Sequence, residues 1–422
     1  MTEPDHRPHL HIRPPKGWLN DPNGIGRWDG RWHVFFQYNP DAPVHAAICW
    51  GHVSSADLLH WREEPVALRP RPSAIDAAGV WSGVAALDDG EPVLVYTAVP
   101  DHAANAGVAL ARRAPDGSWA AQDVMVQPRP ADPTIREFRD PSLFTVDGRR
   151  YALVGSGRTD GTPLVLVYDV DDLDVWRPLG ELLTGDDPRA MQLAPAEIWE
   201  CPQLVSLPGG RWALILSRWH DHDLRGVSAL VGDVEVVDGT PRFTPDSGGP
   251  LDFGPDFYAP QAFVDGARVL MWAWTWESRT DRAQEDVDYA GWAGALTFPR
   301  ELDPADGRVV SAPARELIGL RRSKLDADTL TDGVPAAELP AWEVEADGPL
   351  VVAIVGPDGD REVWRAPADA ARVRVLVDGS VVEAFADGDA WTVRAYPRAG
   401  ESWRVQADAD VSAWELGPPT PA

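Results

Sequence analysis

The sequence predicts an all-β protein, a five-bladed β-propeller followed by a small C-terminal β-sandwich. Three observations carry that prediction. Helical periodicity is scarce, and short strands with period-two patterning between Gly, Pro or Asp turns dominate. A turn ending in Gly, followed by a strand rich in β-branched and aromatic residues, recurs five times at nearly even spacing. Beyond about Pro313 the pattern changes, and the chain goes on to an antiparallel meander.

The five units begin DGRWHVFFQY at Asp29, DGEPVLVYTA at Asp89, DGRRYALVGS at Asp147, GGRWALILSR at Gly209 and DGARVLMWAW at Asp265. The intervals are 60, 58, 62 and 56 residues. Asp-Gly and Gly-Gly are strong hairpin signals. A unit of several strands repeated at this period reads as one propeller blade, and a β-sandwich with coincidental spacing is the alternative. Residues 1–312 are therefore assigned to a five-bladed catalytic propeller. Residues 313–325 follow as a linker, in which ARELIGLRRSKL (Ala314 to Leu325) reads as a short helix or connecting segment. Residues 326–422 are assigned to the sandwich. There ARVRVLVDGSVVEAFADGDAWTVRAYP alternates at Val373, Val375 and Val377, turns at Asp378-Gly379 and turns again at Asp387-Gly388.

Composition bounds the function. The chain has 422 residues and a formal net charge of −28, a field that repels nucleic acid and anionic membrane but not a neutral sugar. Two cysteines, Cys49 and Cys201, encode no disulfide framework. The N-terminal segment has no basic region followed by an apolar one, and no apolar run is long enough to span a bilayer, so a cytoplasmic location is expected. Twenty tryptophans suit both sugar stacking and β-sheet cores. No His, Cys or Asp cluster has metal-ligand spacing. HDHD, from His220 to Asp223, comes nearest and reads as a solvated loop. No cofactor is expected, and oligomeric state is not legible.

Counting back about 8 to 10 residues from each turn glycine reaches a polar residue in every unit: Asp21, Ser82, Asp140, Glu200 and Tyr258. Equivalent positions of successive blades surround one channel, so three carboxyl groups are expected to converge. Retaining hydrolysis of a glycoside needs two of them, a nucleophile and an acid/base, about 5–5.5 Å apart. A third can stabilise a cationic transition state. An isolated Asp before Pro is more often a turn residue, so the shared unit position is what raises these residues to candidates.

The same segments resemble glycoside hydrolase family 32, the invertase, fructanase and levanase family. The similarity runs through WLNDPNG (Trp18 to Gly24), FFQYNP (Phe35 to Pro40), WGHVSSADLLHW (Trp50 to Trp61), FRDP (Phe138 to Pro141) and WECP (Trp199 to Pro202). It continues in DFGPDFYAPQAF (Asp252 to Phe263) and GWAGALTFPREL (Gly291 to Leu302), and resumes in VRVLVDGSVVEAFADG. The resemblance implies Asp21 as nucleophile, Glu200 as acid/base and Asp140 as transition-state stabiliser. It further implies that Asn20, Gln37, Ser82 and Arg139 bind the fructosyl unit. Trp81 stands where the family usually has Phe, and Tyr258 and Trp272 match positions near the acid/base. The sequence departs from the family at His45, Ala46 and Ala47, which replace a Trp-Gly-Asn trio whose Trp forms part of an apolar wall. Val84 stands where Ser is frequent, and Met271 where Gly is. The implied activity is release of terminal β-D-fructofuranosyl residues from sucrose or short fructo-oligosaccharides through a covalent fructosyl-enzyme. Fructosyl transfer and exo-fructanase action on inulin- or levan-type oligosaccharides are the alternatives.

Overall fold

The computed structural model describes residues 6–277, 282–326 and 328–418. The chain is almost entirely β. Strands β1 (Gly17–Trp28), β2 (Arg31–Asn39), β3 (Cys49–Ser55) and β4 (Arg62–Glu63) form a first antiparallel meander. A second comprises β5 (Gly79–Asp88), β6 (Glu91–Val99), β7 (Gly107–Arg113) and β8 (Trp119–Ala121), with β9 (Gln127–Pro128) beside β7. The third is β10 (Ile135–Val146), β11 (Arg149–Arg158), β12 (Pro163–Asp169) and β13 (Arg177–Thr184). The fourth is β14 (Ile198–Ser206), β15 (Trp212–His220), β16 (Asp223–Val237) and β17 (Thr240–Pro250). One residue pair, Ser156 with Trp199, joins these two into an eight-stranded sheet. The last segment supplies β18 (Tyr258–Asp265), β19 (Arg268–Thr275), β20 (Trp292–Ala293), β21 (Ala295–Leu296), β22 (Arg300–Ala305) and β23 (Arg308–Pro313). Of these, β20 leaves its own sheet and runs parallel to β1, tying the last segment to the first.

The predicted turns are where the hairpins close. Asp29-Gly30, Asp89-Gly90 and Asp147-Gly148 are two-residue connections in which both residues have positive φ. That conformation matches the twist of the flanking strands, and Asp-Gly adopts it at low cost.

Each of β1, β5, β10, β14 and β18 breaks register with its hairpin partner near its pocket end, and β1 and β10 break once more, at Asn23/Gly26 and Ile135/Glu137. The breaks near the pocket end fall at Leu19/Pro22, Trp81/Gly83, Arg139/Ser142, Glu200/Gln203 and Tyr258/Gln261. A bulge leaves residues outside the ladder and re-aims their side chains. Side-chain bonds then link these five strands in a closed order. Asn23 Oδ1 accepts from Gly83 N; Thr97 Oγ1 donates to Ser82 O and accepts from Asp140 N; Ser142 Oγ donates to Pro202 O. Gln203 donates to Pro260 O and accepts from Ala262 N, and Gln261 accepts from Ile25 N and donates to Gly83 O. Buried peptide groups that the bulges remove from the ladder thereby keep partners.

The C-terminal region holds two sheets. Arg321–Lys324, Val411–Leu416, Ala341–Ala346, Val373–Asp378, Val381–Ala386 and Asp389–Arg394 form one, in that order. Val334–Pro335, Ser402–Ala407, Leu350–Gly356 and Gly359–Arg365 form the other. Trp342, Val375, Val352 and Trp403 from both sheets share one core. Within the segment read as a linker, Arg315–Leu320 is a 3₁₀ turn and Arg321–Lys324 is an edge strand. Arg321 binds Glu343 at 2.6 Å and stacks on Trp414 at 3.7 Å, so pairing with a tertiary partner makes a strand where local sequence shows only mixed charges.

Candidate active site

The bulges bring the predicted polar residues together. Asp21 accepts from Asn20 Nδ2 at 3.0 Å, Ser82 Oγ at 2.5 Å and Gln37 Nε2 at 3.2 Å. Asn20 is itself fixed by Trp18 Nε1 at 2.8 Å. Asp140, with φ of 61°, accepts from Cys201 N at 3.1 Å. Cys201 Sγ lies 3.8 Å from Asp21 Oδ2 and 3.6 Å from Asp140 Oδ2, which places two of the carboxyl groups about one thiol. Glu200 takes Arg139 Nη2 on Oε1 at 2.7 Å and the Tyr258 hydroxyl on Oε2 at 2.6 Å. Arg139 also binds Glu137 and has its Nε 3.9 Å from Asp140, so one guanidinium joins the second and third carboxyl groups.

These side chains, apart from Ser82 behind Asp21, line one cavity of about 430 Å³, a volume suited to a small glycoside. Its wall also contains His45, Trp81, Trp18, Trp219, His222 and Trp274. Burial raises the Asp21 carboxyl above the ordinary carboxylate range; the hydrogen bonds from Ser82 and Asn20 oppose that, and the Glu200 charge adds to it. Burial likewise raises Asp140, to about 7, with Arg139 opposing and Glu200 and Asp21 reinforcing. Desolvation and like charge both disfavour ionisation, so holding these carboxyl groups together costs stability.

Of the residues nominated from sequence, Trp272 is not brought here. It is fully buried and packs edge-on to Trp61, beside Trp32. Trp274, two residues further along β19, is the tryptophan at the cavity. Both lie on the same side of the strand, but two residues advance the chain by about 6.6 Å, which separates core from pocket. The HDHD segment, read as a solvated loop, is exposed at His220, Asp221 and His222, and it also reaches the pocket. Asp221 and His222 have positive φ and form the tight turn between β15 and β16, and His222 lies edge-on to Trp219 and lines the cavity.

Residues 11–313 match the sequence model of the glycosyl hydrolases family 32 N-terminal domain. The chain belongs to glycosyl hydrolases family 32. As a family 32 member it is a glycoside hydrolase. It is 33% identical over 411 residues to a sucrose-6-phosphate hydrolase of Klebsiella pneumoniae, covering 90% of this chain and 86% of that protein. It is 31% identical to a raffinose invertase of Escherichia coli, covering 93% and 90%. The solved Bombyx mori family 32 beta-fructofuranosidase superimposes with a TM-score of 0.81 at 26% identity, over 99% of this chain and 95% of that one.

Proposed function

We propose that this family 32 enzyme is a retaining β-fructofuranosidase that releases fructose from sucrose and short fructo-oligosaccharides. The observation that carries the reading is the meeting of Asp21, Asp140 and Glu200 in one pocket, each set at the bulge of a different strand. Asp21, oriented by Asn20, Ser82 and Gln37, attacks the anomeric carbon. Glu200 protonates the leaving glycosidic oxygen and then takes a proton from the water that resolves the fructosyl-Asp21 ester. Asp140 faces the ring and stabilises positive charge as the bond breaks. Arg139 and Tyr258 fix the two oxygens of Glu200, and Trp18, Trp81 and Trp274 supply apolar faces for the sugar.

The proposal includes the architecture. The five meanders are read as five blades over residues 1–312, supported by the five equivalent bulges, the closed order of side-chain bonds and the β20–β1 pairing. The shared core of the two C-terminal sheets supports a sandwich over 326–422. A cytoplasmic location belongs to the same reading. Phosphorylated sucrose is the second substrate reading, favoured by the activity named for the Klebsiella relative and by Arg136 and His222 in the pocket wall.

The test is incubation of the purified protein with sucrose or sucrose 6-phosphate, with glucose (or its phosphate) and fructose quantified separately. Equal release supports hydrolysis, and glucose in excess of fructose moves the reading to fructosyl transfer. No release from either substrate, or from short fructo-oligosaccharides, contradicts it.

A further inference from the structure

His45 stands where the family resemblance implies an indole, and its contacts give it a different task. It lies in the loop between β2 and β3, with Trp81 at 5.8 Å and Trp18 at 6.5 Å, both edge-on. Its Nε2 is 3.2 Å from Gln37 Oε1. The other end of that carboxamide, Nε2, donates to Asp21 Oδ2 at 3.2 Å and to Ser82 Oγ at 2.5 Å. A carboxylate only accepts, so the nitrogen end of Gln37 must face Asp21 and the oxygen end must face His45. That oxygen is only an acceptor too, so the hydrogen of the contact sits on His45 Nε2. In the neutral imidazole Nδ1 then carries no hydrogen.

We infer that His45 is a positioning residue: as an Nε2–H donor it holds the Gln37 carboxamide in the one orientation that hydrogen-bonds the nucleophile Asp21 and its neighbour Ser82. The inference rests on the role assigned to Asp21 under the proposed function. A phenyl ring at position 45 would fill the wall but carries no donor for Gln37 Oε1. Without that donor the carboxamide is anchored at one end only, and thermal motion about its last torsion moves the hydrogen bonds to Asp21. The energy at stake is that of orientation rather than binding, so kcat carries the effect and KM does not.

Three variants and one spectrum test this. H45F is expected to lower kcat about tenfold while KM changes less than about threefold, because misorientation near a reacting group acts on the chemical step. H45Q, whose amide reaches the same point with a hydrogen, is expected to keep kcat within about threefold of the parent. In a Q37A background, H45F is expected to cause no further loss, since the two residues act as one unit. Additive losses in the double variant, or an H45F effect confined to KM, would overturn the inference. Independently of turnover, ¹⁵N NMR of the histidine-labelled enzyme is expected to show the neutral Nε2–H tautomer at His45, and an Nδ1–H tautomer would overturn it. A parent enzyme inactive on every fructoside would count against the proposed function, while the tautomer measurement would still decide the inference.

Discussion

Asp140 is buried and Asp21 partly so, and both are held above the ordinary carboxylate range, yet both are anchored by donors that prefer the ionised form. That tension is the residue-scale signature of a site built for charge. Replacing Asp21 by Asn or Glu200 by Gln is expected to cut kcat at least about 10³-fold, roughly 4 kcal/mol of transition-state stabilisation, with an unchanged circular dichroism spectrum; near-parental turnover in either would remove its assigned role. Asp140 gives a prediction of opposite sign for stability. Its folded value of about 7 lies above the ordinary carboxylate value of 3.8, so ionisation costs the fold progressively as pH rises between those limits. Asp140→Asn is therefore expected to stabilise the protein on the order of 1–3 kcal/mol at about pH 8 and by nearly nothing at about pH 4, while abolishing turnover. Thermal unfolding of both proteins at the two pH values checks this, and a stability difference independent of pH would contradict it. The carboxylates were legible because a polar residue recurs within one position of the same place in each unit. Trp274 and His222 were not, because which residue of a strand or turn reaches the pocket depends on how far along the strand the pocket lies.

At the scale of elements, the bulges explain how three of the five strands bring two successive side chains to the site rather than one. Aligned on the X-Pro step, with Ser82-Gly83 in its place in the second unit, Asp21, Ser82, Asp140, Cys201 and Ala259 are equivalent, and Asn20, Trp81, Arg139, Glu200 and Tyr258 form the set before them. Counting from the turn glycines merged the two sets, placing Glu200 and Tyr258 with Asp21. A period-two pattern cannot reveal a position where two successive side chains reach the same cavity, as Asn20 with Asp21, Arg139 with Asp140 and Glu200 with Cys201 do. The prolines of the X-Pro steps mark four of the five breaks and are the sequence signal that aligns them. Backbone in the left-handed region at Asp140, Cys201 and Ala259 needs support from outside the ladder. Gln261 supplies part of it by bridging Ile25 N and Gly83 O. Gln261→Ala orphans both buried groups and is expected to cost about 2–4 kcal/mol of stability and to lower kcat with it. A change under about 0.5 kcal/mol by chemical unfolding would mean that the ring of bonds is not what holds the bulges.

Across the whole molecule, the N-terminal and C-terminal regions meet in a buried ionic network. Arg300, fully buried, binds Asp252 Oδ2 at 2.7 Å, Glu383 Oε2 at 2.5 Å and Thr392 Oγ1 at 2.7 Å. His11 bridges Asp378 at 2.7 Å and Glu383 at 3.0 Å, so the N-terminal segment is clamped to the C-terminal sheet. Removing one member of such a network strands the remaining charges. Arg300→Met is expected to lose about 3–5 kcal/mol, read by denaturant unfolding, whereas a neutral effect would show that the two regions do not depend on this contact. The sequence displayed the C-terminal hairpins through their alternation, but an interface made by residues up to several hundred positions apart leaves no local pattern. The central claim is that this assembly exists to let Asp21 form a covalent bond to fructose. Its most direct measurement is peptide mass spectrometry of Glu200→Gln enzyme quenched during reaction with β-fructosyl fluoride, a donor whose leaving group needs no acid. The account predicts one fructosyl unit on the peptide containing Asp21 and none in the Asp21→Asn background. An adduct on another residue, or turnover with inversion and no adduct, would contradict it.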